Sequence, residues 1–354
     1  MVKKHLDTSY HRPVLSPPES VVKQGKCNFG TFNKAIKTIN MLEADRPLGW
    51  PAPALISNFR LKEWEAIQLA CSDWFFCLAV YNTKSIGTAI IMAFHRVTGT
   101  MHVYQHKVPF WRLKVPRGLG NTYCYYHSKR LSIDIHNYLD NDCLTLRFFA
   151  RGFPGKPDIE GAFTGYYTTT PIVTVQPFSK NRPLYSHKAL MPADGSVFLD
   201  HKKCDYPIHT TSMIVDDHKG FYPYVMEYDW VSALGFSSAG DLQGFNLTDN
   251  QIVDQEQYNE NCLWLSGQMY PLPPVTINRP GGVRKTWHIT DKYGQVDLYF
   301  EPLADVTSYL DLLIAKTKYH GPTGRFSGRI SVNHKINTLF SGFIGMGEMK
   351  YVKL

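Results

Sequence analysis

Apolar and polar residues alternate with a period of two along most of this 354-residue chain, and turn-forming residues separate the alternating segments. Such alternation is typical of β-strands with one buried face. For example, the turn "VTGT" at 97–100 separates the alternating segments 88–96 and 101–108, and it contains Gly99, whose backbone freedom suits a tight hairpin. Four hairpins are predicted in this way: residues 88–96 with 101–108, 130–138 with 143–150, 285–290 with 295–302, and 324–332 with 337–354.

Helical periodicity is scarce. Residues 305–320 fit a helix, although a strand fits their second half equally well. Residues 58–70 also fit a helix, yet they lead directly into the strand-like "WFFCLAV". The chain is about twice as long as one small barrel requires. We therefore predict a mainly β fold of two antiparallel units packed together, with few helices.

The predicted boundary between the two units lies in the polar and irregular residues 190–212. The domain organisation that follows is a polar, proline-containing N-terminal arm over 1–25, a first β-barrel-like domain over 26–200, and a second over 201–354.

Composition and charge narrow the class of protein. Apolar residues make up 44% and charged residues 19%, as in globular chains. The formal net charge is +8, but the basic residues are scattered, and the densest local sets are Lys3–Lys4, Lys202–Lys203 and "RLKVPR" at 112–117. Because nucleic-acid binders gather charge in one patch, no nucleic-acid partner is predicted. Weak contact with anionic ligands or a membrane surface is compatible with this charge.

The N-terminal residues lack the apolar core of a signal peptide, and the longest apolar run, 86–94, is too short to cross a bilayer as a helix. The seven cysteines include no CxxC pair, which is typical of buried thiols in a reducing compartment. We therefore predict a cytoplasmic protein without a transmembrane segment. The oligomeric state does not follow from the sequence.

No metal site and no cofactor are predicted. The sequence contains no HExxH motif, no phosphate-binding loop and no dinucleotide fingerprint. A group of His209, Asp216 and His218 is conceivable, but its spacing is unspecific for a metal.

Residues 217–235, "DHKGFYPYVMEYDWVSALG", concentrate ionisable groups among aromatic side chains. If residues 225–234 form a strand, Glu227 and Asp229 share one face, about 7 Å apart. Two partly buried carboxyl groups at that distance can hold different protonation states, one as acid and one as base. Glu227 and Asp229 are therefore the candidate catalytic residues. The alternative is a solvent-facing strand edge with two ordinary carboxylates.

Aromatic and amide side chains near these carboxyl groups are the predicted ligand contacts. Tyrosine can pack its ring on an apolar ligand and direct its hydroxyl to a ligand oxygen. Amides at strand ends can line a barrel mouth, although they also cap turns. The candidate ligand-binding residues in this part of the chain are Lys219, Tyr222, Tyr224, Trp230, Asn246, Glu260 and Asn261.

Two further candidates, Glu63 and Trp64, lie in "FRLKEWEA" at residues 59–66. A buried Glu63 needs a cationic partner, which an Arg or Lys of another strand can supply. A structural ion pair that closes one end of a barrel is the alternative to a role in the site.

An ordered set of segments resembles a family of bacterial and eukaryotic proteins known as a domain of unknown function. The segments are "FRLKEWEA", residues 217–235, "GFNLTDN", "YNENCLWLSGQMYPL" and "GRFSG…FSGFIGMGE". That family is similar in architecture to paired lipocalin-like (calycin) barrels, which include carotenoid 1,2-hydratases and fungal Diels–Alder cyclases. The resemblance implies two lipocalin-like barrels or half-barrels and a hydrophobic ligand at or between them.

Three functions remain open. The first is cofactor-independent hydration, isomerisation or cyclisation of a small lipophilic molecule bound in a β-barrel cavity. The second is a non-catalytic carrier of such a molecule. The third is a structural or assembly subunit that kept the fold. The sequence does not decide whether the protein is an enzyme.

Overall fold

The computed structural model describes residues 9–311 and 316–353. It confirms a mainly β fold with all four predicted hairpins in antiparallel register. Seventeen strands precede residue 221: β1 (Val14–Leu15), β2 (Val22–Lys23), β3 (Lys26–Cys27), β4 (Gly30–Phe32), β5 (Lys62–Ala70), β6 (Trp74–Asn82), β7 (Ile86–His95), β8 (Met101–Pro109), β9 (Leu113–Lys114), β10 (Asn121–His127), β11 (Leu131–Tyr138), β12 (Cys143–Ala150), β13 (Ile159–Tyr166), β14 (Ile172–Ser179), β15 (Arg182–Leu199), β16 (Lys202–Tyr206) and β17 (Ser212–Gly220).

Nine more strands follow in the described residues: β18 (Val225–Phe236), β19 (Leu242–Asp249), β20 (Cys262–Leu265), β21 (Gln268–Pro271), β22 (Val275–Asn278), β23 (Trp287–Asp291), β24 (Val296–Asp311), β25 (Lys316–Val332) and β26 (Ile336–Lys353). Helix is rare in the same residues, with one α-helix, α1 (Ala54–Arg60), and three short 3-10 turns at Met41–Glu43, Phe110–Arg112 and Leu139–Asn141.

Two large curled antiparallel half-barrel sheets make up the protein. The main path of the first sheet runs β8-β7-β6-β5-β17-β15-β13-β12-β11-β10-β9, and β1, β4, β14 and β16 join beside it. The second sheet runs β21-β20-β19-β18-β26-β25-β24-β23-β22. Strands β2 and β3 form a small separate ribbon. The predicted architecture of two packed half-barrels is therefore confirmed.

Most of the residues that fit a helix in the sequence are strands in the structure. Residues 305–311 belong to β24 and residues 316–320 to β25, while 312–315 lie outside the described residues. Of residues 58–70, only the first three belong to α1, and Lys62–Ala70 form β5. Cross-strand packing decides such segments more strongly than local periodicity does.

The inner face of each half-barrel is filled by packed apolar side chains. Phe76, Phe148 and Phe163 belong to the first interior, and Trp287 and Phe326 belong to the second. A third apolar cluster packs the outer face of the first sheet on the second sheet. It includes Phe75, Phe94 and Ile214 from the first sheet and Trp230, Trp264 and Met346 from the second. The space between the sheets is therefore a buried interface.

Strand pairing changes from the first sheet to the second between Gly220 and Val225. Strands β16 and β17, which follow residue 200, pair with β15 of the first sheet. The last strand of the first sheet, β17, ends at Gly220, and the first strand of the second sheet, β18, begins at Val225. The change of sheet therefore lies about twenty residues after residue 200, where the first domain is predicted to end. The division into two domains over 26–200 and 201–354 stays a prediction.

Of the predicted N-terminal arm, residues 1–8, including Lys3–Lys4, lie outside the described residues. The rest packs on the body of the protein. The Tyr10 hydroxyl donates a hydrogen bond to the carbonyl of Glu256 at 2.7 Å, and the buried Arg12 guanidinium donates to the carbonyl of Asn261 at 2.6 Å. Strand β1 pairs with β4 of the first sheet. This segment therefore contacts both sheets.

Candidate functional site

Strand β17 directs successive side chains to opposite faces of the first sheet. Ile214 on this strand packs in the cluster between the sheets, and Asp216 and His218 share its face. On the neighbouring strand β15, Lys188 is directly opposite Asp216. Glu260, from the segment before β20, approaches from the second sheet. Lys188, Asp216, His218 and Glu260 are called the inter-sheet cluster below.

The four side chains form a ring of close polar contacts. Lys188 Nζ lies 2.8 Å from Asp216 Oδ2 and 3.9 Å from Glu260 Oε1. His218 Nδ1 lies 3.6 Å from Asp216 Oδ1, and His218 Nε2 lies 3.6 Å from Glu260 Oε2. The two histidine distances exceed those of protein hydrogen bonds. His218 is therefore held between two carboxylates without bonding to either.

Several atoms of the inter-sheet cluster have unused hydrogen-bonding capacity. Asp216 Oδ1, both ring nitrogens of His218 and Glu260 Oε2 are buried and make no hydrogen bond. Buried polar atoms in native proteins are nearly always paired, so a group of unpaired ones needs an explanation. A site that binds the polar part of a ligand is such an explanation.

Burial and mutual attraction set the charges of the cluster. Burial lowers the pKa of His218 to about 4, although Glu260 and Asp216 act in the opposite direction. For Glu260, burial would raise the pKa, but Lys188, His218 and a hydrogen bond from Thr248 outweigh it and lower the pKa to about 2. At neutral pH His218 is thus a neutral imidazole beside the ionised Glu260, and Lys188 forms an ion pair with Asp216. A neutral imidazole between carboxylates can accept a proton, since the imidazolium that forms is stabilised by them.

Two rows of residues face each other beside the cluster. His218, Trp64 and Tyr81 are neighbours on β17, β5 and β6 of the first sheet. In the second sheet, Tyr228, Lys350 and Tyr319 are neighbours on β18, β26 and β25.

The ammonium of Lys350 lies 5.3 Å from the ring centre of Tyr81, 5.4 Å from Tyr228, 5.9 Å from Trp64 and 6.0 Å from Tyr319. These distances allow cation–π attraction. The five residues are called the aromatic box.

The aromatic box connects the inter-sheet cluster with solvent. All five residues of the box are partly exposed, whereas Lys188, His218 and Glu260 are buried. Trp64 contacts His218 edge-on with 4.5 Å between ring centres, and it stacks on the partly buried Tyr222 at 5.7 Å. The hydroxyl of Tyr222 makes no hydrogen bond. Aromatic side chains thus lie between the partly exposed box and the polar cluster, and we call this region between the sheets the inter-sheet crevice.

A surface pocket of about 660 Å³ lies next to the aromatic box, with Tyr228 and Lys350 in its lining. Both predicted catalytic residues line this pocket rather than the inter-sheet cluster. Asp229 Oδ2 accepts a hydrogen bond from Arg279 Nη2 at 2.7 Å, and Glu227 is exposed. The predicted strand is confirmed, and so is the shared face of these two carboxyl groups. Their catalytic role stays a prediction.

Five of the predicted ligand-binding residues lie around the cluster. Tyr222 and Trp64 form the aromatic wall, and Glu260 is a member of the cluster. The indole nitrogen of Trp230 donates to Asn246 Oδ1 at 2.7 Å, and Asn246 Nδ2 donates to the carbonyl of Glu260 at 2.9 Å. Trp230 and Asn246 therefore hold Glu260 in position.

The other predicted residues lie elsewhere. Lys219 pairs with Asp217 inside the first half-barrel, and Glu63 pairs with Lys84, as in the structural alternative for that residue. Asn261 accepts from the Thr248 amide at 2.7 Å and donates to the carbonyl of Pro273 at 2.9 Å, which is a structural role. Tyr224 is half exposed.

Sequence reasoning missed Lys188, Glu348 and Lys350. Glu348 accepts hydrogen bonds from the hydroxyls of Tyr228 at 2.9 Å and Tyr319 at 2.7 Å. The sequence does contain a signal for Lys188, which is a charged residue directly before the apolar run "ALMPA" at residues 189–193. Asp216 and His218 entered only as unspecific metal candidates with His209, which is exposed. Among the described residues, no group of three or more His, Cys, Asp or Glu side chains is placed to hold a metal ion.

The fold and the crevice define a class of protein: two packed antiparallel half-barrels with ionisable groups buried between them. The chain belongs to the family described as Domain of unknown function (DUF2804), whose model matches residues 13–354. The resemblance found in the sequence is therefore confirmed. No curated protein matches the sequence.

Two solved structures are similar in fold. The crystal structure of CghA matches with a TM-score of 0.51 and 13% identity, over 83% of this chain and 88% of that chain. Kievitone hydratase from Nectria haematococca matches with a TM-score of 0.50 and 10% identity, over 82% of this chain and 88% of that chain. At these identities the likeness extends to the fold alone. No helix in the described part of the chain is long and apolar enough to cross a membrane.

Proposed function

We propose that the protein binds a small lipophilic molecule in the inter-sheet crevice and transfers a proton on it without a cofactor, as a hydratase, isomerase or cyclase. The observation that carries this proposal is the inter-sheet cluster itself. Four buried and unpaired atoms of Asp216, His218 and Glu260 converge at the end of the inter-sheet crevice. The interiors of both half-barrels are filled with side chains, so the crevice is the better location for the ligand.

His218 is the proposed proton-transfer residue. In an isomerisation, a ring nitrogen of His218 takes a proton from one carbon of the substrate and returns it to another. Asp216 and Glu260, each with an oxygen 3.6 Å from a ring nitrogen, stabilise the imidazolium in between. In a hydration, His218 takes a proton from water as the water oxygen bonds to one carbon of a double bond, and it returns that proton to the other carbon. Trp64 and Tyr222 hold the apolar part of the substrate.

The predicted pair Glu227 and Asp229 supports a second location for the chemistry. Both line the pocket next to the aromatic box, but Asp229 is paired with Arg279 and Glu227 is exposed. Acid–base catalysis calls for a buried carboxyl group whose charge is not already satisfied by a partner, and neither residue provides one. We therefore assign these residues to ligand entry rather than to the reaction.

A protein with the same fold is named a hydratase, which makes hydration compatible with this architecture. A carrier would use the same crevice without proton transfer. A structural subunit would need no unpaired polar atoms there.

Mass spectrometry of an organic extract of the purified protein tests ligand binding. We expect a lipophilic compound in stoichiometric amount with the wild type and much less with Tyr228→Ala, which removes one wall of the box. Tyr299→Ala is the matched control, since Tyr299 is a partly exposed tyrosine of the second sheet that stacks on His288. Equal recovery from both variants, or a sugar or nucleotide in place of a lipophile, contradicts the proposal.

A further inference from the structure

One segment of the chain has basic residues but no acidic ones. Residues 74–133 contain eight Lys and Arg and no Asp or Glu, whereas the whole chain has 38 Lys and Arg and 30 Asp and Glu. The other 30 basic residues match the 30 acidic residues in number, so the charge of this segment equals the net charge of the whole chain, +8. The segment runs from β6 to the start of β11.

Four cations of this segment are exposed around the 3-10 turn Phe110–Arg112 and the strand that follows it. They are Lys107, Arg112, Lys114 and Arg117. None of the four forms an ion pair among the described residues. Two other basic residues of the segment are occupied, since Lys84 pairs with Glu63 and Arg96 donates to the carbonyl of Cys71.

Helix α1 has an inverted pattern of burial. Its buried residue is Ser57, while Leu55 is 80%, Phe59 50% and Ile56 39% exposed. A helix on the surface of a globular protein normally turns its apolar side chains to the core. Exposed apolar side chains grouped on one element indicate a surface that contacts something apolar.

The apolar residues of α1 continue into the basic segment. Lys62 Nζ donates to the carbonyls of Phe59 at 2.8 Å and Thr83 at 2.6 Å, which fixes α1 beside the turn between β6 and β7. After that turn, Ile86, 51% exposed, is directly opposite Pro109. Pro109 precedes Phe110 and Trp111, and Trp111 is 70% exposed. Leu55, Ile56, Phe59, Ile86 and Trp111 therefore follow one rim of the first sheet, which we call the apolar rim.

We propose that the apolar rim and the four exposed cations form a docking surface for a lipid bilayer that contains anionic lipids. Tryptophan and aliphatic side chains enter the boundary between headgroups and acyl chains, and Lys and Arg next to them pair with lipid phosphates and carboxylates. A second copy of this chain fits less well, because the same excess of cations on both partners would repel.

The rim lies at the same end of the first sheet as the aromatic box. Trp64 follows Lys62 on β5, and Tyr81 directly precedes the end of β6. A docked protein would thus have the mouth of the inter-sheet crevice close to the membrane. Docking itself rests on the charge and the exposed side chains and does not depend on the proposed function.

Cosedimentation with large vesicles tests the docking surface. The vesicles are pure phosphatidylcholine or phosphatidylcholine mixed with phosphatidylserine, at low and at physiological salt. We expect binding to the mixed vesicles that weakens with salt, and little binding to the neutral ones. The variants Leu55→Ser/Phe59→Ser and Arg112→Glu/Lys114→Glu should each weaken binding at least about tenfold.

Two matched controls should bind like the wild type. Leu339→Ser removes an equally exposed leucine of the second sheet, and Lys202→Glu/Lys203→Glu reverses an exposed lysine pair outside the segment. The proposal is overturned if the wild type stays in the supernatant with mixed vesicles, if the controls lose as much binding as the rim variants, or if neutral vesicles bind equally well. It is also overturned if the wild type does not bind vesicles but forms a concentration-dependent dimer in sedimentation velocity that the rim variants do not form. That result would assign the surface to a second copy of the chain.

Discussion

Strand β17 carries ionisable residues on both faces, and the two faces serve different purposes. Asp216 and His218 belong to the inter-sheet cluster. Asp217 and Lys219 point into the first half-barrel, where Glu65 on β5 and His187 on β15 are directly opposite Asp217. Glu65, His187, Asp217 and Lys219 are called the interior cluster. All four members are buried, as are Lys188, His218 and Glu260 of the inter-sheet cluster.

The two clusters differ in access. In the interior cluster, Asn137 Nδ2 donates to Glu65 Oε1 at 2.8 Å, and the Tyr167 hydroxyl donates to Asn137 Oδ1 at 3.1 Å. These groups close the cluster within the packed interior, where Glu65 Oε2, His187 Nε2 and Asp217 Oδ2 also make no hydrogen bond. The inter-sheet cluster instead adjoins the partly exposed aromatic box. Buried charge therefore does not identify a site by itself, and a route from solvent is the feature that distinguishes the two.

The pKa values of Glu65 and Asp217 are shifted in the opposite direction to that of Glu260. Burial, followed by the charge of Asp217, raises the pKa of Glu65 to about 8, and burial raises the pKa of Asp217 to about 6. The pKa of Glu260 is lowered to about 2 because Lys188 and His218 outweigh its burial. The histidines behave alike, since burial lowers the pKa of His187 to about 3 and that of His218 to about 4.

Removal of the lysine from each cluster should give the largest effect. Lys188→Met leaves Asp216 and Glu260 buried without their cation, and we expect a loss of about 3–5 kcal/mol in the free energy of unfolding. Lys219→Met should cost less, because Asp217 takes up a proton readily and Glu65 is already protonated at neutral pH. Urea denaturation at pH 6 compares the two variants. An equal or larger loss in the free energy of unfolding for Lys219→Met would show that the carboxyl groups of the interior cluster depend on their lysine as strongly as those of the inter-sheet cluster do.

The next effect is a pH dependence of the interior cluster. A carboxyl group with a raised pKa in the folded state stabilises the protein below its ordinary pKa near 4.5 and loses that contribution as pH rises towards about 8. Glu65→Gln keeps an acceptor for Asn137 and removes the titration. Relative to wild type, the variant should therefore gain on the order of 3 kcal/mol between pH 5 and pH 8. A difference that is constant with pH contradicts the raised pKa.

Histidine titration gives a smaller effect on the acid side. A histidine with a lowered pKa in the folded state stabilises the protein above its ordinary pKa near 6.5, and this contribution is lost as pH falls towards about 4. Between pH 7 and pH 5, we expect His218 to account for roughly 2 kcal/mol of lost stability. In His218→Gln this part of the loss should disappear, and in His187→Gln as well. Thermal unfolding across that pH range measures both.

The smallest effect on stability is expected at the predicted catalytic pair. Asp229→Asn weakens a partly exposed ion pair with Arg279, which should cost less than about 1 kcal/mol, and Glu227→Gln should be close to neutral. Both variants should nevertheless weaken ligand turnover if the pocket beside the aromatic box serves ligand entry. Unfolding of either variant at ambient temperature would make these carboxyl groups architectural instead.

Most of the fold could be predicted, because alternation of apolar residues is a local signal. It located the hairpin of β23 and β24 with Trp287 opposite Phe300 and Ile289 opposite Leu298. The position at which the chain passes from the first sheet to the second was harder to predict, because β16 and β17 have the same alternation of apolar and polar residues as any other strand. Which sheet they join depends on β15, an 18-residue strand whose two halves pair with different neighbours.

The site was only partly predictable. Trp64, Tyr222, Trp230, Asn246 and Glu260 were candidates because aromatic rings can pack on an apolar ligand and polar groups at strand ends can line a barrel mouth, and their role in ligand binding stays a prediction. Lys188 and Lys350 could not be found in this way. Their roles depend on the packing of one sheet on the other, which brings together residues far apart in sequence. Strand alternation correctly paired Glu227 with Asp229, but it carries no information about which face adjoins the other sheet.

Proton transfer by His218 is the central claim, and deuterium incorporation tests it most directly. Wild type, His218→Gln and His187→Gln are incubated in heavy water with an organic extract of the native source, and the extract is followed by mass spectrometry. We predict a lipophile that gains carbon-bound deuterium, or the mass of heavy water, with wild type and His187→Gln but not with His218→Gln. Equal incorporation with all three proteins, or loss with His187→Gln alone, would contradict the account.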